Sequence, residues 1–256
     1  MFNIDVHADV ETIIRGLRDF DQRQLPYAMT LALNNTAKIV ERALYAEMKR
    51  VFDRPTAYTM NSLWVKLATK QTLKSVIRFK DRAGKGTPAE KYLGPQVRGG
   101  SRHWKRHEKA LQKVGLLPSG MFCVPGSAAR IDRDGNMDKG QIVQILSYLR
   151  AFGEEGYKAN MSDKGRARVA KDNKRTGARG FAYFVLKEKR NGLVPGVWQR
   201  FQFAHGSAVR PVLIFVKSPS YSRRFDFYDV AERVVKRHFR TELEKAIKEA
   251  MNTAFR

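Results

Sequence analysis

Two histidines stand at a spacing that could bind a metal ion. His103 and His107 are four residues apart, so on a helix their imidazole rings would lie on one face, as in many zinc sites, and Glu108 follows directly. The order is not His-Glu-x-x-His, however, and four cationic side chains between residues 102 and 109 would repel a dication. The pattern therefore favours a solvated basic helix, able to contact phosphate, over a zinc site.

A series of oxygen-bearing side chains follows further along the chain. Asp132, Asp134, Asn136 and Asp138 occupy alternate positions, as at the front of a calcium-binding loop. Met137 stands where that loop requires glycine, and the closing glutamate is also missing. We therefore interpret the segment as a plain Asp-Gly turn without a metal ion.

The other reactive groups do not form a recognisable catalytic set. Nucleophilic catalysis needs a serine or cysteine beside a base, but there is no Gly-x-Ser-x-Gly elbow, and Cys123 lies in an apolar, strand-like segment where thiols are commonly inert. A metal-dependent nuclease would gather two or three carboxylates around a cation, whereas Glu41, Glu47, Glu154 and Glu155 fit solvated positions better. We predict no catalytic residue, no metal and no cofactor, and keep the nuclease as a weaker alternative.

The charge balance indicates an anionic partner. The 256 residues include 49 Lys and Arg against 25 Asp and Glu, which leaves a net charge of +24 and an isoelectric point near 10.4. So large an excess of one sign repels itself and usually persists where phosphate supplies the opposite charge. The composition therefore predicts proximity to nucleic acid, and the simpler alternative is that the charge only keeps the protein in solution.

One stretch concentrates this charge. Residues 158–180 hold eight basic residues against two acids and almost no large apolar side chain, so they cannot build a core of their own. We interpret this stretch, called the basic tract below, as a mobile loop that contacts phosphate without reading base sequence, because aromatic residues only flank it. The alternative is a solvated loop without a partner. The candidate nucleic-acid-binding residues are Lys158, Lys164, Arg166, Arg168, Lys171, Lys174, Arg175 and Arg179.

The elements that hold these residues follow from hydrophobic periodicity. In residues 25–52, apolar side chains return every three or four positions, which predicts a long helix with one buried face. Residues 226–254 repeat the pattern and predict a second long helix at the C-terminal end. The first stripe consists of Met29, Leu33, Val40, Leu44 and Val51, and the second of Ala231, Val235, Phe239, Leu243, Ile247, Ala250 and Ala254.

Shorter elements fill the interval between the two long helices. Strands are predicted at residues 2–6, 63–69, 73–80 and 121–124, the second and third joined as a hairpin, and an antiparallel meander at 181–187, 196–203 and 209–217. Further helices are predicted at residues 8–23, 102–114 and 139–150. The sequence thus predicts a single α+β domain over residues 1–256, with an antiparallel sheet packed by the two long helices, the terminal helix over the meander, and extended loops.

Composition also bounds where the chain can work. Cys123 is the only cysteine, so no intramolecular disulfide is possible and nothing indicates an oxidising compartment. No run of about 18 apolar residues occurs, and the N-terminal residues lack the basic-then-apolar order of a secretion signal. We expect folding in the cytoplasm and no membrane partner.

Several short motifs resemble those of a known family. Residues 32–37 (Ala-Leu-Asn-Asn-Thr-Ala), the corner Arg54-Pro55-Thr56, residues 196–200 (Gly-Val-Trp-Gln-Arg) and Pro211-Val212 are similar to the tail-completion (minor tail protein Z) family of tailed bacteriophages. The resemblance covers residues 25–80 and 181–255. Residues 87–160 look like an insertion shared with uncharacterised proteins of phage neck modules, notably around Gly135-Asn136 and residues 141–147.

The resemblance implies a virion component in the neck or tail that is not an enzyme. Members of such a family assemble as a homo-oligomeric ring at the head-to-tail junction, beside other neck, portal or tail proteins, where the channel carries genomic DNA. A basic channel wall would hold that DNA by non-specific phosphate contact. The alternative is a non-specific nucleic-acid-binding protein that acts inside the cell.

Overall fold

The computed structural model describes residues 3–6, 24–81, 86–153 and 159–254, with the backbone alone for residues 3–6, 253 and 254. The described helices are α1 (Gln24–Val51), α2 (Ala57–Met60), α3 (Ala89–Arg98), α4 (Arg106–Lys113), α5 (Lys139–Tyr148), α6 (Asp163–Val169) and α7 (Phe227–Ala254). The described strands are β1 (Asn3–Val6), β2 (Leu63–Lys66), β3 (Ser75–Phe79), β4 (Gly100–Ser101), β5 (Phe122–Pro125), β6 (Ala182–Leu186), β7 (Gly196–Phe203), β8 (Gly206–Val216) and β9 (Ser220–Tyr221). The α+β class is confirmed.

The chain folds into two compact units. The first unit consists of the described parts of residues 1–100 and 221–256, and the second of those within residues 101–220. The second unit therefore combines most of the segment expected as an insertion at residues 87–160 with the meander. The prediction of a single domain over residues 1–256 stays a prediction.

In the first unit, α1 and α7 pack against each other and against a three-stranded antiparallel sheet of order β1-β3-β2. The predicted stripe of α1 is buried, since Met29, Leu33, Val40 and Leu44 have no exposed surface. Burying each such side chain contributes about 1.5–3 kcal/mol. The two helices also contact each other through small residues: Ala28 and Ala32 of α1 share an apolar cluster with Ala246 and Ala250 of α7.

Two asparagines of the motif at residues 32–37 join α1 to its neighbours. Asn34 forms two hydrogen bonds to the Ala68 backbone, accepting from its N–H at 2.7 Å and donating to its carbonyl at 3.1 Å, and also accepts from the Ser75 hydroxyl at 2.9 Å. Asn35 donates to the Glu242 carboxylate on α7 at 3.2 Å. Both asparagines therefore stabilise the scaffold.

In the second unit, a four-stranded antiparallel sheet of order β5-β8-β7-β6 packs against α4 and α5 through a shared apolar core. The motif at residues 196–200 builds this sheet. A Cβ at Gly196 would lie 2.2 Å from the Leu213 carbonyl oxygen, so only glycine fits there. The Trp198 indole N–H donates to the Val194 carbonyl at 3.1 Å, and the buried Gln199 side chain donates to the Tyr183 hydroxyl at 3.3 Å.

Several predicted elements need correction. The terminal helix α7 contributes to the core of the first unit, whereas the meander shares its core with α4 and α5, so the expected packing of that helix over the meander is wrong. The sequence predicted no full helix between residues 81 and 100, but α3 spans Ala89–Arg98 with Pro95 inside it. The predicted helix at residues 8–23 lies outside the described residues. None of the described helices is both long and apolar enough to span a lipid bilayer.

Candidate nucleic-acid interface

The basic tract contains a short helix. The Ser162 hydroxyl accepts a hydrogen bond from the Gly165 N–H at 3.2 Å and so caps the start of α6. Met161 and Val169, just before and at the end of α6, pack against the core of the second unit. A loop without secondary structure is therefore wrong for residues 163–169. The tract needs no core of its own, because two apolar side chains dock it on a core built by other elements.

After α6 the chain turns back through residues 170–180. Asn173 and Ala178 pair as an antiparallel bridge, and the Asn173 side-chain oxygen accepts a hydrogen bond from the Arg175 N–H at 3.0 Å. A Cβ at Gly180 would lie 2.2 Å from the Ala170 carbonyl oxygen, so the two ends of the turn approach each other too closely for any residue but glycine. The turn has a defined conformation and projects its cations outward. The mobility expected of this tract stays a prediction.

Most of the predicted binding residues are exposed on the second unit. Arg166 is half-buried, with its guanidinium carbon 5.4 Å from the centroid of the Tyr148 ring, so part of this side chain stabilises the fold. Lys158 lies outside the described residues. The exposed candidates are Lys164, Arg168, Lys171, Lys174, Arg175 and Arg179.

The two acids of the tract are already engaged by neighbouring groups. Asp163 accepts a hydrogen bond from Arg150 at 2.7 Å and lies 3.8 Å from Arg166. Asp172 accepts one from the Gly180 N–H at 2.7 Å. The exposed lysines of the tract and Arg168 form no ion pair within the described parts of the chain. Their charge is therefore available to an external anion.

The structure also brings an aromatic hairpin to the tract. The Arg179 guanidinium carbon lies 4.6 Å from the ring centroid of Phe203, at the end of the β7–β8 hairpin. An open depression of about 530 Å³ is lined by Arg179 and residues 203–208, among them His205 and Ser207. Phe203 is 45% exposed, which is unusual for a side chain of this size. Phe203 and Arg179 thus line the same depression.

Sequence reasoning missed this hairpin because Arg179 and Phe203 are 24 positions apart. A local pattern reveals only the aromatic residues within and beside the basic tract. A signal was nevertheless present, since residues 189–225 contain no Asp or Glu. Together, residues 159–220 hold 13 Lys and Arg against 3 Asp and Glu. The tract and the hairpin therefore form one strongly cationic region of the second unit.

The cluster with most chemical potential lies elsewhere in the same unit. The Glu108 carboxylate is fully buried and accepts four hydrogen bonds: two from the Arg102 guanidinium at 2.5 and 2.7 Å, and two from the N–H groups of Lys105 and Cys123 at 2.5 and 2.7 Å. Arg102 also donates to the Cys123 carbonyl at 3.1 Å. The Arg102–Glu108 pair therefore satisfies backbone groups of β5 and of the α4 N-terminus.

His107, Glu108 and Cys123 place one potential metal ligand each within 4.8 Å of one another. Burial lowers the pKa of His107 to about 4 and raises the pKa of the Cys123 thiol to about 12. Burial alone would raise the pKa of Glu108, but the hydrogen bonds from Arg102 and from the two N–H groups lower it. The carboxylate is saturated and the thiol stays protonated, so the geometry fits a structural ion pair better than a metal centre or a nucleophile.

The two metal-like sequence patterns fold in other ways. α4 begins at Arg106, so the helix expected at residues 102–114 starts four residues later; His103 precedes it and is exposed. The two histidines therefore do not share a helix face. The Asp132 carboxylate accepts hydrogen bonds from the N–H groups of Asp134 and Asn136 at 3.0 and 2.8 Å, and Asp138 caps α5. The plain turn is confirmed.

Comparison with protein-family models, with curated proteins and with solved structures found no match to this chain. The resemblance to tail-completion proteins therefore stays a prediction carried by the short motifs quoted above. The nuclease alternative needs two or three gathered carboxylates. Within the described residues, the one group of at least three ligand-bearing side chains close enough to hold a metal contains a single carboxylate, Glu108.

Proposed function

We propose that this protein is a structural, non-enzymatic component of a tailed-bacteriophage virion. It would act as a tail-completion or neck protein that assembles as a ring around the DNA channel and contacts neighbouring portal, neck or tail proteins. Its cationic region would lie against genomic DNA and bind phosphate without reading sequence. No cofactor takes part in this role.

The observation that carries the DNA contact is the acid-poor surface formed by the basic tract and the hairpin. Flexible lysine and arginine side chains neutralise phosphates and release condensed counterions, whichever bases lie between the phosphates. The tract holds eight basic residues against two acids, one of which is paired with Arg150, so it keeps a net positive charge toward a polyanion. The placement in a virion is supported separately, by the resemblance of residues 25–80 and 181–255.

Assembly tests the virion role. The purified full-length protein should form closed rings in negative-stain images, and an antibody against it should label the head-to-tail junction of particles that contain it. A protein that stays a monomer or dimer at all concentrations and is missing from particles would contradict this role. Tight, salt-sensitive DNA binding by such a monomer would instead support an intracellular nucleic-acid-binding protein.

DNA binding tests the cationic surface. Replacing five tract cations by glutamine should weaken binding to a 20-base-pair duplex. It should also reduce the slope of log binding constant against log salt concentration, by about 0.9 for each phosphate that the variant no longer neutralises. The replaced residues are Arg166, Arg168, Lys171, Lys174 and Arg175. Circular dichroism should show an intact fold. A matched variant with five glutamines on α7, at Arg233, Lys236, Arg237, Arg240 and Lys248, removes the same charge elsewhere and should bind more tightly than the tract variant. Equal losses in both variants would indicate that net charge alone, and not the tract, governs binding.

A further inference from the structure

Apart from Arg102, which lies over Phe122 and pairs with Glu108, three arginines of the second unit lie over phenylalanine rings. The guanidinium carbon of Arg179 is 4.6 Å from the Phe203 ring centroid, that of Arg210 is 5.9 Å from Phe201, and that of Arg200 is 4.7 Å from Phe184. A guanidinium within about 6 Å of an aromatic ring centroid is attracted by the ring quadrupole and can still donate hydrogen bonds from its N–H groups. These three cations are therefore oriented, unlike the lysines of the tract.

Two of the three pairs share one face of the sheet. Phe201 and Phe203 are two positions apart on β7, so both point to the same side, and Arg210 lies opposite Gln199, which also points to that side. Ring contacts continue this face toward the tract, since Phe181 lies 5.9 Å from Phe201. Arg200 alternates to the opposite face. Arg179, which belongs to the tract, joins the tract to the Phe201–Phe203 face.

We propose that Arg179 and Arg210, held on Phe203 and Phe201, form a preorganised site for the phosphodiester backbone of a nucleic acid. This inference deepens the proposed DNA contact and rests on it, but it does not depend on the virion role. The depression between Arg179 and residues 203–208 admits a phosphate, and its lining has no acidic side chain. His205 and Ser207 also line the depression, and their side chains can donate further hydrogen bonds.

The chemistry distinguishes this site from the rest of the cationic surface. Arginine donates two parallel N–H bonds to two phosphate oxygens, whereas lysine acts as a point charge. At the stacked positions an arginine-to-lysine change should therefore lose affinity although the charge is kept. In the tract beyond Arg179, no ring among the described residues lies over Arg168 or Arg175, so the same change there should be nearly neutral.

The experiment compares variants that keep the net charge of the wild type. Fluorescence anisotropy measures their binding to a 20-base-pair duplex and to a 20-nucleotide oligo-dT strand. Arg179→Lys/Arg210→Lys should bind both probes about five- to tenfold more weakly, while the slope against salt stays unchanged. Phe201→Leu/Phe203→Leu should reproduce much of this loss, because it removes the support and keeps both arginines. Arg168→Lys/Arg175→Lys in the tract, and Arg200→Lys on the opposite face, are the matched controls and should bind within about twofold of the wild type.

Three results would overturn the assignment. The stacked-pair variants could bind DNA as tightly as the wild type, or the control variants could lose as much affinity as the stacked-pair variants. Either outcome would mean that only non-specific charge governs binding. A loss confined to oligo-dT would indicate base stacking on the rings instead of phosphate binding. A protein that fails to form rings but shows the expected arginine dependence would remove the virion role and leave this site standing.

Discussion

Glu108→Gln should destabilise the second unit by about 3–5 kcal/mol. The carboxylate is fully buried and accepts four hydrogen bonds, and the Arg102 side chain is only 11% exposed. Glutamine keeps the size of the side chain but removes its charge, and its amide nitrogen would face a donor. Arg102 would then remain buried without its counter-charge, which is the costly outcome when one member of a buried pair is removed.

Urea unfolding followed by tryptophan fluorescence measures this change. Trp104 and Trp198 report on the second unit, and Trp64→Phe removes the signal of the first. Asp163→Asn is a matched control in the same unit, because the Arg150–Asp163 pair has a similar distance of 2.7 Å but an aspartate side chain that is 84% exposed. The control should lose no more than about 1 kcal/mol. The slope of the free energy of unfolding against urea concentration should be the same in both variants as in the wild type.

The acid limb of the stability curve provides a second measurement. The hydrogen bonds lower the pKa of Glu108 from its ordinary value of 4.5, so the stability that ionised Glu108 contributes is present above pH 4.5 and is lost as the pH falls through the lowered value. Glu108→Gln should remove that part of the acid sensitivity. A loss no larger than that of Asp163→Asn, with an unchanged acid limb, would refute the structural role of the pair.

Three further predictions concern single groups. His107→Gln should flatten the rise of stability between about pH 4 and pH 6.5, because burial lowers the pKa of His107 to about 4 and only the unfolded chain binds a proton in that interval; pH-dependent denaturation measures it. Asn34→Ala should cost about 1–3 kcal/mol in thermal or urea unfolding, since it removes partners of the buried Ala68 backbone, whereas Asn35→Ala, which loses one bond to Glu242, should cost less. The Cys123 thiol, with its pKa raised to about 12, should resist a disulfide reagent at pH 8 in the native state and react fully in urea, and rapid native reaction would contradict its burial.

The long helices and the meander were predictable because each follows one uninterrupted periodicity. The α1 stripe is buried from Leu25 to Met48, and a pattern of that length leaves little choice of structure. The partner of each element was less predictable. Periodicity indicates that α7 buries one face but not which sheet that face covers, and the core that α7 joins is that of the first unit.

Only part of the candidate interface could be predicted from the sequence. Excess charge can be counted along the chain, so the exposed tract cations were found from composition. The stacked arginines require two strands and a turn to bring residues 179, 201, 203 and 210 together, and no local pattern encodes that pairing. Similarly, the sequence places Glu108 next to a pair of histidines, which suggests a metal ligand, whereas in the structure its hydrogen bonds to Arg102 and to the β5 backbone determine its chemistry.

The residues that suggest a phage protein and those that suggest a phosphate contact are largely different. Asn34, Asn35, Gly196 and Trp198 carry the family resemblance, and in the structure each of them builds the scaffold through a backbone or inter-element contact. The basic tract lies outside the resembling segments. The proposed virion role therefore predicts assembly, whereas the tract predicts what the assembled surface contacts. Ring formation and DNA binding are for this reason independent measurements, and a variant that changes one without the other would separate the two contributions within a single chain.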